Sequence, residues 1–594
     1  MTLTHIQLRD RFKTFWEERG HREMPPIPLV PKDDPTTLFT GSGMQQLVPF
    51  LLGETHPLGN RLYNIQRGLR TQDIEEVGNN RHTTIFEMMG NWSLGDYFKE
   101  EQLEWCWEFL TDIVGLAKNK LYVTVFAGTK TIPKDTESFM IWKKIGIPES
   151  RIFHYGAAKN WWSRAGEPEN MPAGEPGGPD SEVFYKFTKV FHSPQFGPKC
   201  HPNCNCGRFL EICNSVFMQY KKQSDGSFVE LPKKNVDFGG GLERILASSN
   251  DNPDVFLTDV FLPILHELEK TSAKKYTDLK NKPLMRVISD HVKAATFLII
   301  DGVMPSNKER GYVLRRLLRR ALVKMNRLVG QNVQSSVFDA AIKSTLRIYH
   351  DIYFEEGKDF RLVQEIVQQE VGRFDKALQE GLKQIGKIDR IDGKKAFDLY
   401  QNYGFPLELT EELFREKGQT MNRDEFRKEF EKHQNLSRSA SVGKFKGGLV
   451  DQGEQTIKYH TATHLLHQAL FDVLGNDIRQ EGSNITSERL RFDFYSPRKP
   501  TQEEVEKVEE LLNKNVSEKL AVSFKVLPKE EAYRIGARSF FREKYPEKVK
   551  VYFIGSYSKE FCGGPHVKNT SEIGQIKIYK FEKIGGNIYR IYAK

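Results

Sequence analysis

Cysteine is scarce in this chain: six among 594 residues, at 106, 200, 204, 206, 213 and 562. That excludes a disulfide-stapled scaffold and fits a reducing cytoplasm. No stretch approaches 18 apolar residues, so no membrane-spanning helix is expected. The first twenty residues lack the apolar segment of a secretory leader and read as a charged amphipathic helix. No repeat recurs at solenoid spacing. Neither sign of charge dominates: 88 Lys and Arg against 79 Asp and Glu leave +9, so a polyanion-binding surface must come from local clustering. Aromatic core material is plentiful, with 40 Phe and 7 Trp, and hydrophobic residues make up 38%. This is ordinary globular composition, in a chain long enough for three or four cores.

Up to about residue 251, strand-like runs such as 121–126 and 216–220 alternate with helical patterns and frequent Gly and Pro. This predicts a catalytic α/β or α+β domain over 1–251. From 252 to 434 apolar residues recur at three and four spacing, most clearly over 360–388, which predicts a helical domain. The run NLSRSASVGKFKGGLVDQGEQ at 435–455 has no periodicity and reads as a linker. Beyond it, helical 459–474 and 502–520 and strand-like 489–495 predict a second α+β domain over 456–594. The fold class is multidomain α+β.

His460 and His464 lie four apart in a helical pattern and project from one face, so two imidazoles can meet one ion. Cys562 and His566 bracket a turn, Cys-Gly-Gly-Pro-His. Three His and one Cys make a tetrahedral set that suits zinc better than hard cations. A second cluster, KCHPNCNC at 199–206, offers Cys200 or His201, Cys204 and Cys206, with His192 or Cys213 as a fourth ligand for a structural zinc. The bland reading of that cluster is a reduced, proline-constrained loop.

The HxxxH followed by CGGPH, with RQEGS at 479–483 and LRFDF at 490–494, resembles the editing domains of alanyl-tRNA synthetases, which are similar to those of threonyl-tRNA synthetases. The resemblance implies Zn2+ held by His460, His464, Cys562 and His566, water attack on a mischarged ester, and a pocket containing Gln480, Arg491 and Asp493. Pro565 stands where the family commonly has Thr.

Adenylate formation needs cations on phosphates, an aromatic face for adenine and a carboxylate for the substrate ammonium. QRGLR at 66–70 and RHTTIF at 81–86 resemble motif 2 of the class II synthetases, and DFGGGLER at 237–244 resembles motif 3. The resemblance implies an antiparallel-sheet catalytic domain. There Arg70 holds the α-phosphate, Arg81, His82 and Phe86 complete the ATP site, and Arg244 neutralises the distal phosphates, with ATP and Mg2+ as cofactors. The stretches LVPKDDP at 29–35, FEMMGNW at 86–92, GDYF at 95–98 and NSVFMQ at 214–219 are similar to the alanine family in particular. They imply a small alanine pocket of Met88, Trp162, Asn214, Val216 and Gly239, with Asp237 receiving the ammonium. The motif 2 loop, TQDIEE at 71–76, is shorter than the family's form and lacks its lysine.

Arg315, Arg316, Arg319 and Arg320 fall at i, i+1, i+4 and i+5, one helical stripe of the kind that binds phosphates, though the bland reading is a solvated charged face. With IIDGVMPSN at 299–307, the segment is similar to the acceptor-stem-reading domain of alanyl-tRNA synthetases. That implies Asn307 at the minor groove of tRNA(Ala), partnered by Glu408 where the family has Asp. The family's β-barrel and C-terminal domain find no room between Thr410 and His460 or after His566, which leads us to expect a monomer gripping the acceptor stem alone. The implied activity is ligation of alanine to tRNA, with hydrolysis of Ser-tRNA(Ala) and Gly-tRNA(Ala) at the zinc site. A free-standing mischarged-tRNA hydrolase, a noncatalytic RNA-binding protein and a threonyl enzyme are the rivals. Intact Arg70, Phe86, Asp237 and Arg244 speak against the first two, and the alanine-type stretches against the third.

Overall fold

The structure, a computed structural model, describes residues 3–31, 37–330, 333–334, 336–442, 453–539, 547–585 and 587–594. Most of the LVPKDDP stretch and residues 443–452 of the expected linker lie outside them. Two compact units emerge, Met1–Met421 and Asn422–Lys594.

In the first unit, the opening helix His5–Glu17 is capped by Thr4 and Gln7, each accepting from the other's backbone, and buries Leu8, Phe12, Phe15 and Trp16. Behind it lies a nine-stranded sheet. Its strands are β1 (Arg22–Glu23), β2 (Arg61–Leu69), β3 (Ile85–Leu94), β4 (Leu121–Phe126), β5 (Ile152–Tyr155), β6 (Trp161–Trp162), β7 (Pro176–Lys186), β8 (Phe209–Lys222) and β9 (Phe228–Gly241). The order is β1-β2-β3-β9-β8-β7-β4-β5, with β6 on β7. The body of the sheet is antiparallel, as expected, while the edge pairs β1–β2 and β4–β5 are parallel.

The helices Lys282–Ile300, Glu309–Val329 and Glu356–Lys387 form the expected helical region. It is knitted to the sheet rather than set apart, so the division at residue 251 does not separate compact bodies. Asp290 accepts from the Thr84 amide at 2.8 Å, Asp301 from the Leu29 amide at 2.7 Å, and Glu87 from the Tyr353 hydroxyl at 2.7 Å. Among the described residues no helix is long and apolar enough to cross a membrane.

In the second unit, helix Arg423–Val442 runs through 435–442, correcting the expectation that the linker begins at 435. Helix Glu454–Leu474 is buried on almost every face from Tyr459 to Leu470. It shares a core with Phe492, Phe494, Val508 and Leu512, the last two from helix Gln502–Ser517. A four-stranded sheet runs β10 (Arg479–Ile485), β11 (Leu490–Tyr495), β16 (Ile588–Ala593), β15 (Ile578–Gly585). A three-stranded sheet is built from β12 (Val522–Pro528), β13 (Lys548–Ile554) and β14 (Ser558–Phe561).

Candidate adenylation site and metal centre

Three neighbouring strands, β3, β9 and β8, supply the walls of a cavity of about 280 Å³. All eleven residues expected at the ATP and alanine sites line it: Arg70, Arg81, His82, Phe86, Met88, Trp162, Asn214, Val216, Asp237, Gly239 and Arg244. Strand register explains the gathering. Gly68 pairs with Phe86, and a Cβ at Gly68 would stand 2.6 Å from the Phe86 ring, so only glycine lets that ring lie across the strand. The Arg70 guanidinium lies 4.7 Å from the centre of the same ring. Gly90 pairs with Gly239, and Cβ atoms there would meet Trp92 at 2.3 Å and Met88 at 3.0 Å. The two glycines open the floor that Trp92 and Met88 occupy. Val216 and Trp92 belong to a buried cluster with Met44 and Leu47, against which Trp162 packs.

The electrostatics of this cavity favour an anion at one end and a cation at the other. Burial and the facing guanidinium of Arg244 both lower the Arg70 pKa, the signature of positive charge in excess. Arg244 is anchored to the Glu211 backbone carbonyl at 3.0 Å and its carboxylate at 3.2 Å. At the other end, burial lifts Asp237 to about 7, against the opposing pull of the Trp92 indole N–H, which donates to it at 2.7 Å. Glu211 and Asp73 line the cavity and escaped sequence reading, since a lone carboxylate carries no local pattern.

The arginine stripe is placed otherwise than expected. Arg320 is 5% exposed, paired with both oxygens of Glu412 at 2.7 and 3.0 Å, and donates to the backbone of Ile74 and Val77. Arg316 is buried against Glu75 and Glu408, and Arg315 and Arg319 share Glu370. These arginines form an internal ion-pair network, which corrects the expectation of an open phosphate-facing stripe. Glu408 also accepts from the Tyr312 hydroxyl at 2.9 Å. Asn307 is exposed and accepts from Arg315.

In the second unit, His460, His464, Cys562 and His566 bring one ligand atom each within 4.8 Å of one another. Cys562 Sγ lies 3.4 Å from His460 Nε2, and the rings of His460 and His566 stack at 4.2 Å. His460 Nδ1 faces the Pro565 carbonyl at 2.9 Å, so Pro565 serves through its backbone. Although burial alone would raise the Cys562 thiol, the three imidazoles hold it well below its usual range. A thiolate among imidazoles fits a zinc ion. Glu560, also missed in the sequence, is ion-paired with His464 and accepts at 2.7 Å from Nδ1 of His467, which holds both rings against it. Asp493 forms a two-oxygen ion pair with Arg590 at 2.7 and 2.9 Å and lies 3.5 Å from Arg491. Gln480 sits on β10 beside a bulge between Gln480 and Gly482.

The model of the tRNA synthetases class II (A) family matches residues 7–481, and that of the threonyl and alanyl tRNA synthetase second additional domain matches 549–592. An alanine–tRNA ligase of Treponema denticola is 45% identical, over 100% of this chain and 99% of the relative. One from Borreliella afzelii is 43% identical with the same coverage. One from Thermotoga maritima is 36% identical, over 100% of this chain and 80% of the relative. With these matches along its whole length, the chain belongs to the alanine–tRNA ligase family of the class II tRNA synthetases.

Proposed function

We propose that the chain ligates alanine to tRNA(Ala) through an alanyl-adenylate and removes Ser and Gly from mischarged tRNA(Ala) at a separate centre. The observation that carries the reading is the convergence of Arg70, Phe86, Asp237 and Arg244 on one cavity. A triphosphate meets both guanidiniums and relieves their mutual repulsion, while Phe86, flat over Gly68, takes the adenine ring. Asp237 holds the alanine ammonium. The substrate carboxylate oxygen attacks the α-phosphorus at Arg70, and pyrophosphate leaves toward Arg244. Glu211, which lines the cavity beside Arg244, would hold Mg2+, which would supply further charge neutralisation to the triphosphate.

Met88, Trp162, Asn214, Val216 and Gly239 leave room for a methyl and bar longer side chains. Glycine, one methyl smaller, loses only ~1 kcal/mol or slightly more in such a pocket, and serine differs by one hydroxyl, so hydrolytic correction is needed. The ligand set His460, His464, Cys562 and His566 would hold Zn2+, whose Lewis acidity favours hydrolysis of the mischarged ester. Gln480, Arg491 and Asp493 are assigned to that pocket by family resemblance. Exposed Asn307, oriented by Arg315, is assigned to the acceptor stem.

The decisive experiment is amino-acid-dependent ATP–pyrophosphate exchange with alanine, serine, glycine and threonine. Alanine is expected to be fastest, and the absence of exchange with all four defeats the reading. For editing, Cys562→Ala leaves alanine exchange intact and lets Ser-tRNA(Ala) accumulate. Unchanged Ser-tRNA hydrolysis by that variant refutes the second centre.

A further inference from the structure

The connector between β7 and β8, residues 187–208, buries Phe187 at its start but leaves its other two phenylalanines outside the core: Phe191 is 82% exposed and Phe196 41%. Yet it gathers four ligand-type atoms. His192, Cys200, Cys204 and Cys206 each bring one within 4.8 Å of the others. Cys200 Sγ lies 3.6 Å from Cys206 Sγ, and Cys204 Sγ lies 3.6 Å from His192 Nδ1. Bonds of about 2.3 Å to sulfur and about 2.0 Å to nitrogen, arranged tetrahedrally, separate neighbouring ligand atoms by roughly 3.5–3.8 Å. A disulfide needs about 2.05 Å, and all the cysteines are free.

The His192 ring is already oriented for ligation. Its Nε2–H donates to the Gly197 carbonyl at 2.8 Å, which leaves Nδ1 as the lone-pair nitrogen facing the sulfurs. The other residues that sequence spacing offered are engaged elsewhere. His201 Nδ1 pairs with the Tyr155 hydroxyl at 2.8 Å, and Cys213 is buried 3.7 Å from Cys106.

We infer that His192, Cys200, Cys204 and Cys206 hold a structural zinc ion in the catalytic unit, distinct from the proposed editing centre. Four protein ligands complete the tetrahedron and leave no open position, so this ion ties the chain rather than performing chemistry. What it ties is the entry to β8, the strand that carries Glu211, Asn214 and Val216 into the adenylation cavity. The inference is independent of the editing reading, because the two ligand sets share no residue.

The test counts metal in the purified full-length protein. Two zinc ions per chain are expected; Cys562→Ser lowers the count to one, and Cys204→Ser alone also lowers it to one. X-ray absorption on the Cys562→Ser protein isolates the proposed site and should give three sulfur neighbours and one nitrogen. Because Cys204→Ser could unfold the connector, alkylation of the unsubstituted chain followed by mass mapping supplies a second measurement. Cys200, Cys204 and Cys206 are expected to be protected until a chelator is added. A single ion per chain unaffected by Cys204→Ser overturns the inference. So does alkylation of the three thiols at the same rate with and without chelator, or recovery of Cys200 and Cys206 as a metal-free disulfide.

Discussion

The indole N–H of Trp92 donates to Asp237 at 2.7 Å across a directly paired position of β3 and β9. That bond orients a carboxylate that burial holds at about 7, far above the usual value for Asp. Desolvation opposes the charge, and the ammonium of the proposed alanine substrate would restore it.

Alanine affinity should therefore depend on pH through this residue. As pH falls below about 7, Asp237 takes up a proton and the alanine KM in ATP–pyrophosphate exchange rises, while the ATP KM stays flat. Stability moves the opposite way. Between the unfolded value near 3.8 and about 7, the folded apo-protein retains a proton that the unfolded chain releases, so apo stability falls as pH rises through that window. Asp237→Asn abolishes alanine activation and raises the apo Tm at pH 8. A flat alanine KM between pH 6 and 8 contradicts the assignment.

Two glycine substitutions should divide the cavity by substrate. A methyl at Gly68 would stand 2.6 Å from the Phe86 ring, and one at Gly90 2.3 Å from Trp92. Phe86 is partly exposed and can swing away, so Gly68→Ala raises the ATP KM with little loss of stability. Trp92 is fully buried, so Gly90→Ala costs about 1–3 kcal/mol of stability and, by displacing the indole from Asp237, raises the alanine KM. Steady-state kinetics with each substrate varied checks the crossing pattern, and equal effects on both KM values in both variants would break it.

The residues expected at the adenylation site fall in short local patterns, and strand register helps carry them to one cavity. The same local spacing put His460 and His464 on one face of helix Glu454–Leu474, where their ligand atoms approach those of Cys562 and His566. Spacing failed for the arginines between 315 and 320. It names their common face but not what opposes it, and the opposing carboxylates, Glu75, Glu370, Glu408 and Glu412, come from distant segments. Glu211 and Glu560 were invisible for the same reason. Residues 435–442 were misjudged because a Ser-rich stretch without apolar periodicity can still continue a helix begun upstream.

Arg320 offers a direct contrast between a structural and an RNA-binding role. Burial alone would raise Glu412, but Arg320 and Lys324 hold it at about 2. Arg320→Ala leaves Glu412 to Lys324 alone, at 2.8 Å, and should cost about 1.5–3 kcal/mol, read as a lower Tm. The Glu412 contribution is full above its unfolded value of 4.5 and fades as pH falls toward 2. Asn307→Ala, at an exposed position, should leave Tm unchanged and raise the KM for tRNA. Loss of tRNA affinity in a fully stable Arg320→Ala would return that arginine to the RNA surface.

Glu560 should govern how tightly the second unit keeps its metal. It is ion-paired with Nδ1 of His464 and accepts from Nδ1 of His467, so the Nε2 atom of His464 remains for the ion, and the two imidazoles hold Glu560 ionised despite complete burial. Glu560→Gln preserves shape but removes the charge that orients and polarises His464. Outer carboxylates of this kind typically contribute ~10–100-fold in metal affinity. Competition against a chromophoric chelator should show zinc leaving the variant at lower chelator concentration. Alanine-dependent exchange, which uses the other unit, should remain at the level of the unsubstituted protein. Ser-tRNA(Ala) hydrolysis should fall under limiting zinc and recover when zinc is added. Failure of added zinc to restore it would mean that Glu560 acts on the reaction itself rather than through His464.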